Sequence, residues 1–281
     1  MIYGEWQAVG GIVIGATHIR QDKPCQDALL VCALEEEEQS EHGFETNDKG
    51  SADVIRTKSP LWGVSASIGD GHGSDSCPYS NEGAEAAVKI ACEIFREMHK
   101  DLAAHKDIRL PKLIEAKWKE RIREIHEENG REYSEPFPYI LYGTTLLAVV
   151  ASEDFIFALQ IGDGNILLID KDANAHPILA AEENVGEDTE SLCLTDAWTY
   201  IRTQIIPWNS SNGPAMVLLS TDGYANSFSS ASGFLKAGAD FFKLWQEEGL
   251  SYVDENLSDW LRQSSDKGSG DDIAMALLVF E

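Results

Sequence analysis

Aspartates recur in one kind of place along this chain of 281 residues. Asp27 precedes the apolar run Ala28-Leu29-Leu30, Asp70 follows Ile68-Gly69, Asp163 follows Ile161-Gly162, Asp222 follows Ser220-Thr221, and the tandem Asp271-Asp272 precedes Ile273. A charged carboxylate at the edge of a buried strand is costly unless it is solvated, paired or coordinated. One Asp-Gly alone reads as a turn, but the repetition favours convergence on a cation. Carboxylate and carbonyl oxygens suit Mg²⁺ or Mn²⁺, whereas zinc asks for His or Cys partners. Gly71, directly after Asp70, lets a backbone carbonyl come close to such an ion. Two ions about 4 Å apart would lower the pKa of a bridging water and hold a phosphoryl group for in-line attack. They would also invert the local negative potential. The chemistry expected is phosphomonoester hydrolysis.

Strands must bring these residues together. Trp6 to Gly15 and Ala28 to Leu34 are short, apolar and bounded by turns, with the polar loop Thr17 to Asp27 between them. Trp62 to Ile68 reads as a buried strand running into Gly69-Asp70-Gly71-His72-Gly73-Ser74. Ala84, Ala87, Val88, Ala91, Ile94, Phe95, Met98 and Leu102 then recur at helical spacing. A second helix carries Ile114, Trp118, Ile122 and Ile125 on one face, with Gly130 as its stop. Gly143 to Val150 and Phe155 to Ile161 read as a hairpin around Ser152-Glu153-Asp154. Ile166 to Ile169 is expected to continue the same sheet after Gly162-Asp163-Gly164-Asn165. Ala215 to Ser220 is a further strand, followed by helical patterns at Ala231 to Glu248 and Tyr252 to Gln263 and a last strand after Asp271-Asp272. Strands in two groups, separated and followed by helices, predict an α+β layered fold and not a parallel βαβ sheet.

Composition narrows the partners. The net charge of −26 would repel a polyphosphate backbone, which excludes nucleic acid and anionic membranes as partners. No run of about 18 apolar residues occurs and the first residues lack a signal-peptide pattern, so the expectation is a cytoplasmic protein. With 43% hydrophobic residues the chain can fill a core, and residues 1–281 are read as one domain. The acidic stretch Glu35 to Ser59 is read as a mobile surface loop or hairpin tip, and Glu182 to Glu190 as a candidate flap. Five cysteines without a CxxC spacing suggest neither a disulfide framework nor a zinc site, and are read as free thiols.

The order of motifs resembles the metal-dependent protein phosphatases of type 2C, in particular their compact bacterial branch. The resemblance rests on Gln26-Asp27-Ala28, Asp70-Gly71-His72-Gly73, Gly143-Thr144-Thr145, Gly162-Asp163, Ser220-Thr221-Asp222-Gly223 and Asp271-Asp272, and spans Thr17 to Phe280. It implies two antiparallel β-sheets packed as a central sandwich flanked by helical hairpins. It also implies a phosphoserine or phosphothreonine protein as substrate, a cognate kinase as possible partner, and two Mn²⁺ or Mg²⁺ ions. Carried over, Asp70 would bridge both metals, the Gly71 carbonyl would bind one, Asp222 and Asp271 would complete the other's shell, and Asp27 would hold metal-bound waters. His72 would be the general acid.

The chain departs from that pattern in places. Gln26 stands where many relatives have Glu, and Asn226 where an acidic residue often helps hold a third metal, although Asp163 matches that site's other ligand. Gly164-Asn165 replaces the usual Ser-Arg. The phosphate-gripping arginine has Arg20 as its nearest match, with Lys23 and His18 on the same loop. These departures leave two alternatives beside a protein phosphatase: a pseudophosphatase that binds phosphoproteins, and a small-molecule phosphomonoesterase.

Overall fold

The computed structural model describes residues 6–34, 57–58, 63–179, 189–213 and 215–281. The acidic stretch from Glu35, apart from Thr57 and Lys58, lies outside them, as does most of Glu182 to Glu190. The strands are β1 (Trp6–Val13), β2 (Asp27–Leu34), β3 (Thr57–Lys58), β4 (Gly63–Asp70), β5 (Leu146–Ser152), β6 (Phe155–Ile161), β7 (Asn165–Ile169), β8 (Ala175–Pro177), β9 (Arg202–Pro207), β10 (Ala215–Ser220) and β11 (Ile273–Phe280). The helices are α1 (Ala16–Gln21), α2 (Ser80–Met98), α3 (Leu102–His105), α4 (Arg109–Glu128), α5 (Asp222–Ala225), α6 (Ala231–Glu248) and α7 (Leu250–Lys267).

Two antiparallel sheets result, ordered β3-β1-β11-β10-β7-β8 and β2-β4-β5-β6-β9. Their central strands are continuous apolar runs because both faces are covered. On β5, Leu147, Val149 and Ala151 face the opposite sheet, while Leu146, Ala148 and Val150 face α2 and α4. On β11, Ala274, Ala276 and Leu278 point into the sandwich, and Met275, Leu277 and Val279 pack under α6 and α7. Three apolar layers therefore alternate with four layers of secondary structure, helix, sheet, sheet, helix, as the resemblance implies.

Two expectations need correction. Ile166 to Ile169 does not extend the sheet of β6: β7 pairs with β10 in the other sheet. The chain crosses between sheets at Gly162-Asp163-Gly164, where Gly162 has φ +97° and a Cβ would come within 2.4 Å of Thr145. The cysteines are not all free either. Cys32 of β2 and Cys92 of α2, 60 residues apart in sequence, are joined by a disulfide, leaving Cys25, Cys77 and Cys193 as thiols. Spacing could not reveal that pair, because a strand face and a helix face meet there only after the layers stack.

Gly83 lets α2 sit directly on the Tyr139–Tyr142 turn. A Cβ on Gly83 would lie 2.0 Å from the Tyr142 carbonyl oxygen, and Trp118 Nε1 donates to the Gly83 carbonyl at 3.0 Å. Gly130, at φ +64°, ends α4 as expected. Trp118 is fully buried at the centre of the helix-facing core. Trp118→Ala is expected to destabilise the fold by about 3–5 kcal/mol through lost transfer energy and a residual cavity, read as a shift of the urea midpoint at constant slope.

Candidate metal centre

The predicted aspartates meet at one end of the sandwich. Asp27 opens β2 and Asp70 closes β4, and in the antiparallel register the two are direct partners. Asp222 starts α5 immediately after β10, Asp271 precedes β11, and Asp163 sits in the crossover turn after β6. Five chain segments from both sheets thus end at the same edge. Gly71 continues from Asp70 through a bridge to Thr144, and its amide donates to the Gln26 carbonyl at 3.1 Å. A side chain on Gly71 would collide with that carbonyl at 2.6 Å.

Neutral groups hold the carboxylates in place. Thr221 Oγ1 donates to Asp27 Oδ2 at 2.8 Å and accepts the Ala274 amide at 3.0 Å. The Asp70 amide donates to Thr145 Oγ1, and the Asp70 carbonyl accepts the Thr145 amide and the Thr144 hydroxyl. Asn226 Nδ2 donates to Asp222 Oδ2 at 2.9 Å, so the residue that departs from the family pattern orients a predicted ligand. Thr189 Oγ1 donates to Asp163 Oδ2 at 3.1 Å.

Among the described residues no lysine or arginine is paired with Asp27, Asp70 or Asp222. Burial holds the Asp27 carboxyl well above the usual carboxylate range, and the charge of Asp272 adds to it against the Thr221 hydrogen bond. Burial also raises Asp70, followed by the charges of Asp27 and Asp222. Asp222 is raised by burial and then by Asp163. Among the described residues no three His, Cys, Asp or Glu side chains stand at metal-ligating geometry; the carboxylates share an edge without closing on a point. The donor set still fits a hard divalent cation, being oxygen-only and repelling itself. Gln26 adds to the fit. Its Nε2 donates to Ser80 Oγ at 2.8 Å, while its Oε1 is buried with no hydrogen-bond partner, an acceptor left for a water.

His72 and Arg20 differ in placement. The half-buried His72 ring packs beside Gly143, where a Cβ would meet Cδ2 at 2.5 Å, and burial lowers its pKa while Asp163 opposes that shift. Arg20 is exposed on α1. Its guanidinium donates to Thr17 Oγ1 at 2.9 Å and makes no ion pair with the cluster. Asp272, read from the sequence only as the second half of a tandem, proves to be buried beside Asp27, with its carboxylate on backbone amides. The doubled Asp was the only signal for it.

Comparison with known proteins agrees with this architecture. Residues 45–262 match the protein phosphatase 2C family. No curated protein matches the chain. Among solved structures, the serine/threonine phosphatase PstP/Ppp of Mycobacterium tuberculosis is 14% identical, with 98% of each chain covered and a TM-score of 0.55. The S. agalactiae serine/threonine phosphatase is 16% identical over 97% of this chain and 98% of its own, with a TM-score of 0.58. A PstP catalytic domain in complex with two manganese ions is 13% identical over 98% of each chain, with a TM-score of 0.55. At these identities the structures speak for the fold, and the family match carries the assignment. The chain belongs to the protein phosphatase 2C family of metal-dependent protein serine/threonine phosphatases.

Proposed function

We propose that this chain, acting as one domain, hydrolyses phosphoserine and phosphothreonine at the aspartate edge, with Asp70, the Gly71 carbonyl, Asp222 and Asp271 holding two Mn²⁺ or Mg²⁺ ions. The observation that carries the reading is the direct pairing of Asp27 with Asp70, packed against Asp222 with no lysine or arginine of the described residues among them. When bound, divalent ions there supply Lewis acidity and a water of lowered pKa for attack in line with the leaving oxygen.

The remaining roles fall to side chains. Asp27, fixed by Thr221, accepts hydrogen bonds from waters at the centre, and Gln26 Oε1, from the preceding residue, offers a second buried acceptor. Asp163 lies at the outer side of the cluster, where it electrostatically couples Asp222 and His72. Its partner in a third site would have to be replaced, because Asn226 is a neutral donor. His72 gives its proton to the departing serine or threonine oxygen. Burial makes the protonated ring a stronger acid, and Asp163 favours keeping the proton until transfer. Arg20 is the proposed contact to substrate phosphate, with His18 and Lys23 on the same segment. Phosphoserine and phosphothreonine are made by kinases that consume intracellular ATP, so the reading includes a cytoplasmic location and an opposing protein kinase.

The test is hydrolysis of para-nitrophenyl phosphate and of a phosphothreonine peptide in EDTA, Mg²⁺ or Mn²⁺. Turnover should require metal and fall at least about 100-fold in Asp222→Asn; metal-loaded, folded protein that turns over neither substrate would sink the reading. Activity on the ester and on phosphorylated metabolites but never on phosphopeptides would move it to a small-molecule phosphatase. His72→Ala should cost about 10²–10⁴-fold with the peptide, whose leaving alkoxide needs a proton, and much less with para-nitrophenolate, which leaves unaided; equal losses would remove the acid role. Asp70→Asn is expected to raise the unfolding temperature of the metal-free protein by a few degrees, because it relieves like-charge repulsion worth about 1–2 kcal/mol, while abolishing turnover.

A further inference from the structure

The segment from Gly15 to Gln26 leaves one sheet and enters the other, and both of its ends are gripped by a single carboxylate. Asp272 Oδ1 accepts the Gly15 amide and Asp272 Oδ2 accepts the Gln26 amide, each at 2.6 Å. His18 Nδ1, from the middle of the segment, lies 2.9 Å from the same Oδ2. Asp272 itself is 3% exposed. Charged acceptors on backbone amides make shorter and stronger bonds than neutral ones, and only an acceptor with two oxygens can serve both ends at once.

The surroundings are shaped for this grip. A Cβ on Gly15 would stand 2.4 Å from the Asp271 carbonyl carbon and 2.6 Å from the Asp272 nitrogen, so the Asp271-Asp272 peptide lies directly on Gly15. The Ala16 amide donates to Ser265 Oγ, which donates in turn to the Asp271 carbonyl at 2.8 Å, and the Thr17 amide donates to the Gly270 carbonyl at 2.8 Å. The first turn of α1 is therefore capped by the turn that carries Asp271. The far end of the segment delivers Gln26 and then Asp27 to the cluster.

We propose that Asp272 is a positioning residue for the reaction. It does not ligate metal, since both oxygens are committed to amides. Instead it fixes the distance between the Asp271 turn and Asp27, and with it the placement of the loop that carries His18, Arg20 and Lys23. The inference rests on the metal-centre reading above. It explains why an additional buried negative charge is kept beside carboxylates that already repel one another: the geometry it imposes on the segment requires a bidentate acceptor.

The experiment combines Mn²⁺ calorimetry with amide hydrogen exchange on the full chain. Asp272→Ala should weaken Mn²⁺ binding about 10-fold or more. It should also strip protection from the Gly15 and Gln26 amides while Val9 and Ala276, in the β1–β11 ladder, keep theirs. Asp272→Asn retains one carbonyl acceptor and should release one of the two amides, with an affinity between those of wild type and alanine. An alanine variant that binds Mn²⁺ within about twofold of wild type, or an asparagine variant that keeps both the Gly15 and Gln26 amides as protected as wild type, would overturn the proposal. If Asp272→Ala does not fold, the asparagine variant decides through its amides. Wild-type protein that binds no Mn²⁺ would defeat the metal-centre reading instead, and the clamp would then stand or fall on amide protection alone.

Discussion

Asp27 and Asp70 face each other across the β2–β4 ladder, and the molecule is organised around tolerating that opposition. Like charges directly opposed in a sheet are destabilising. The register that creates the pair is the same one that buries Leu29, Val31 and Ala66 against the opposite sheet, so it cannot slip by one residue without turning the core outward. The fold therefore stores an unfavourable electrostatic contact in a position fixed by favourable burial, and a divalent cation is the species able to repay it. Stability given up at a site is a common trade in enzymes.

Much of this was legible in the sequence because the carboxylates sit at strand ends, and strand ends are marked by the change from apolar runs to Gly-rich turns. Asp70-Gly71 after Ile68, and Asp222-Gly223 after Leu219, announce themselves in that way. The layer order was legible in outline, since helical stretches and short apolar runs fall in separate blocks. What escaped was everything decided by pairing between distant segments. The transfer of β7 to the other sheet turns on the positive φ of Gly162, and four apolar residues look the same whichever sheet receives them. The Cys32–Cys92 disulfide joins a strand face to a helix face that have no common periodicity. Asp272 looked like a repeat of its neighbour, although Asp271 is exposed at the site edge and Asp272 is turned inward onto Gly15 and Gln26.

These misses share a physical origin. Local pattern encodes which face of an element is apolar, but a hydrogen bond between residues more than 240 positions apart is written in no window of the sequence. The two sheets are welded by burial across the sandwich and, at the aspartate edge, by polar contacts of this long-range kind. Thr221 reaches Asp27 across the gap between sheets just as Asp272 reaches Gln26. The cluster is thus held by the sheet-to-sheet junction itself and not by any single loop.

The strand directions have an electrostatic consequence. β2 leaves the aspartate edge at Asp27 and ends at Leu34, and β4 returns from Gly63 to Asp70. At about 3.3 Å per residue the far ends lie roughly 23 Å from the site, nearly three screening lengths of about 8 Å at physiological ionic strength. A charge held at those far strand ends is therefore strongly damped before it reaches Asp70. The net −26 of the whole sequence is therefore a poorer guide to the field at the aspartate edge than the handful of carboxylates that stand there.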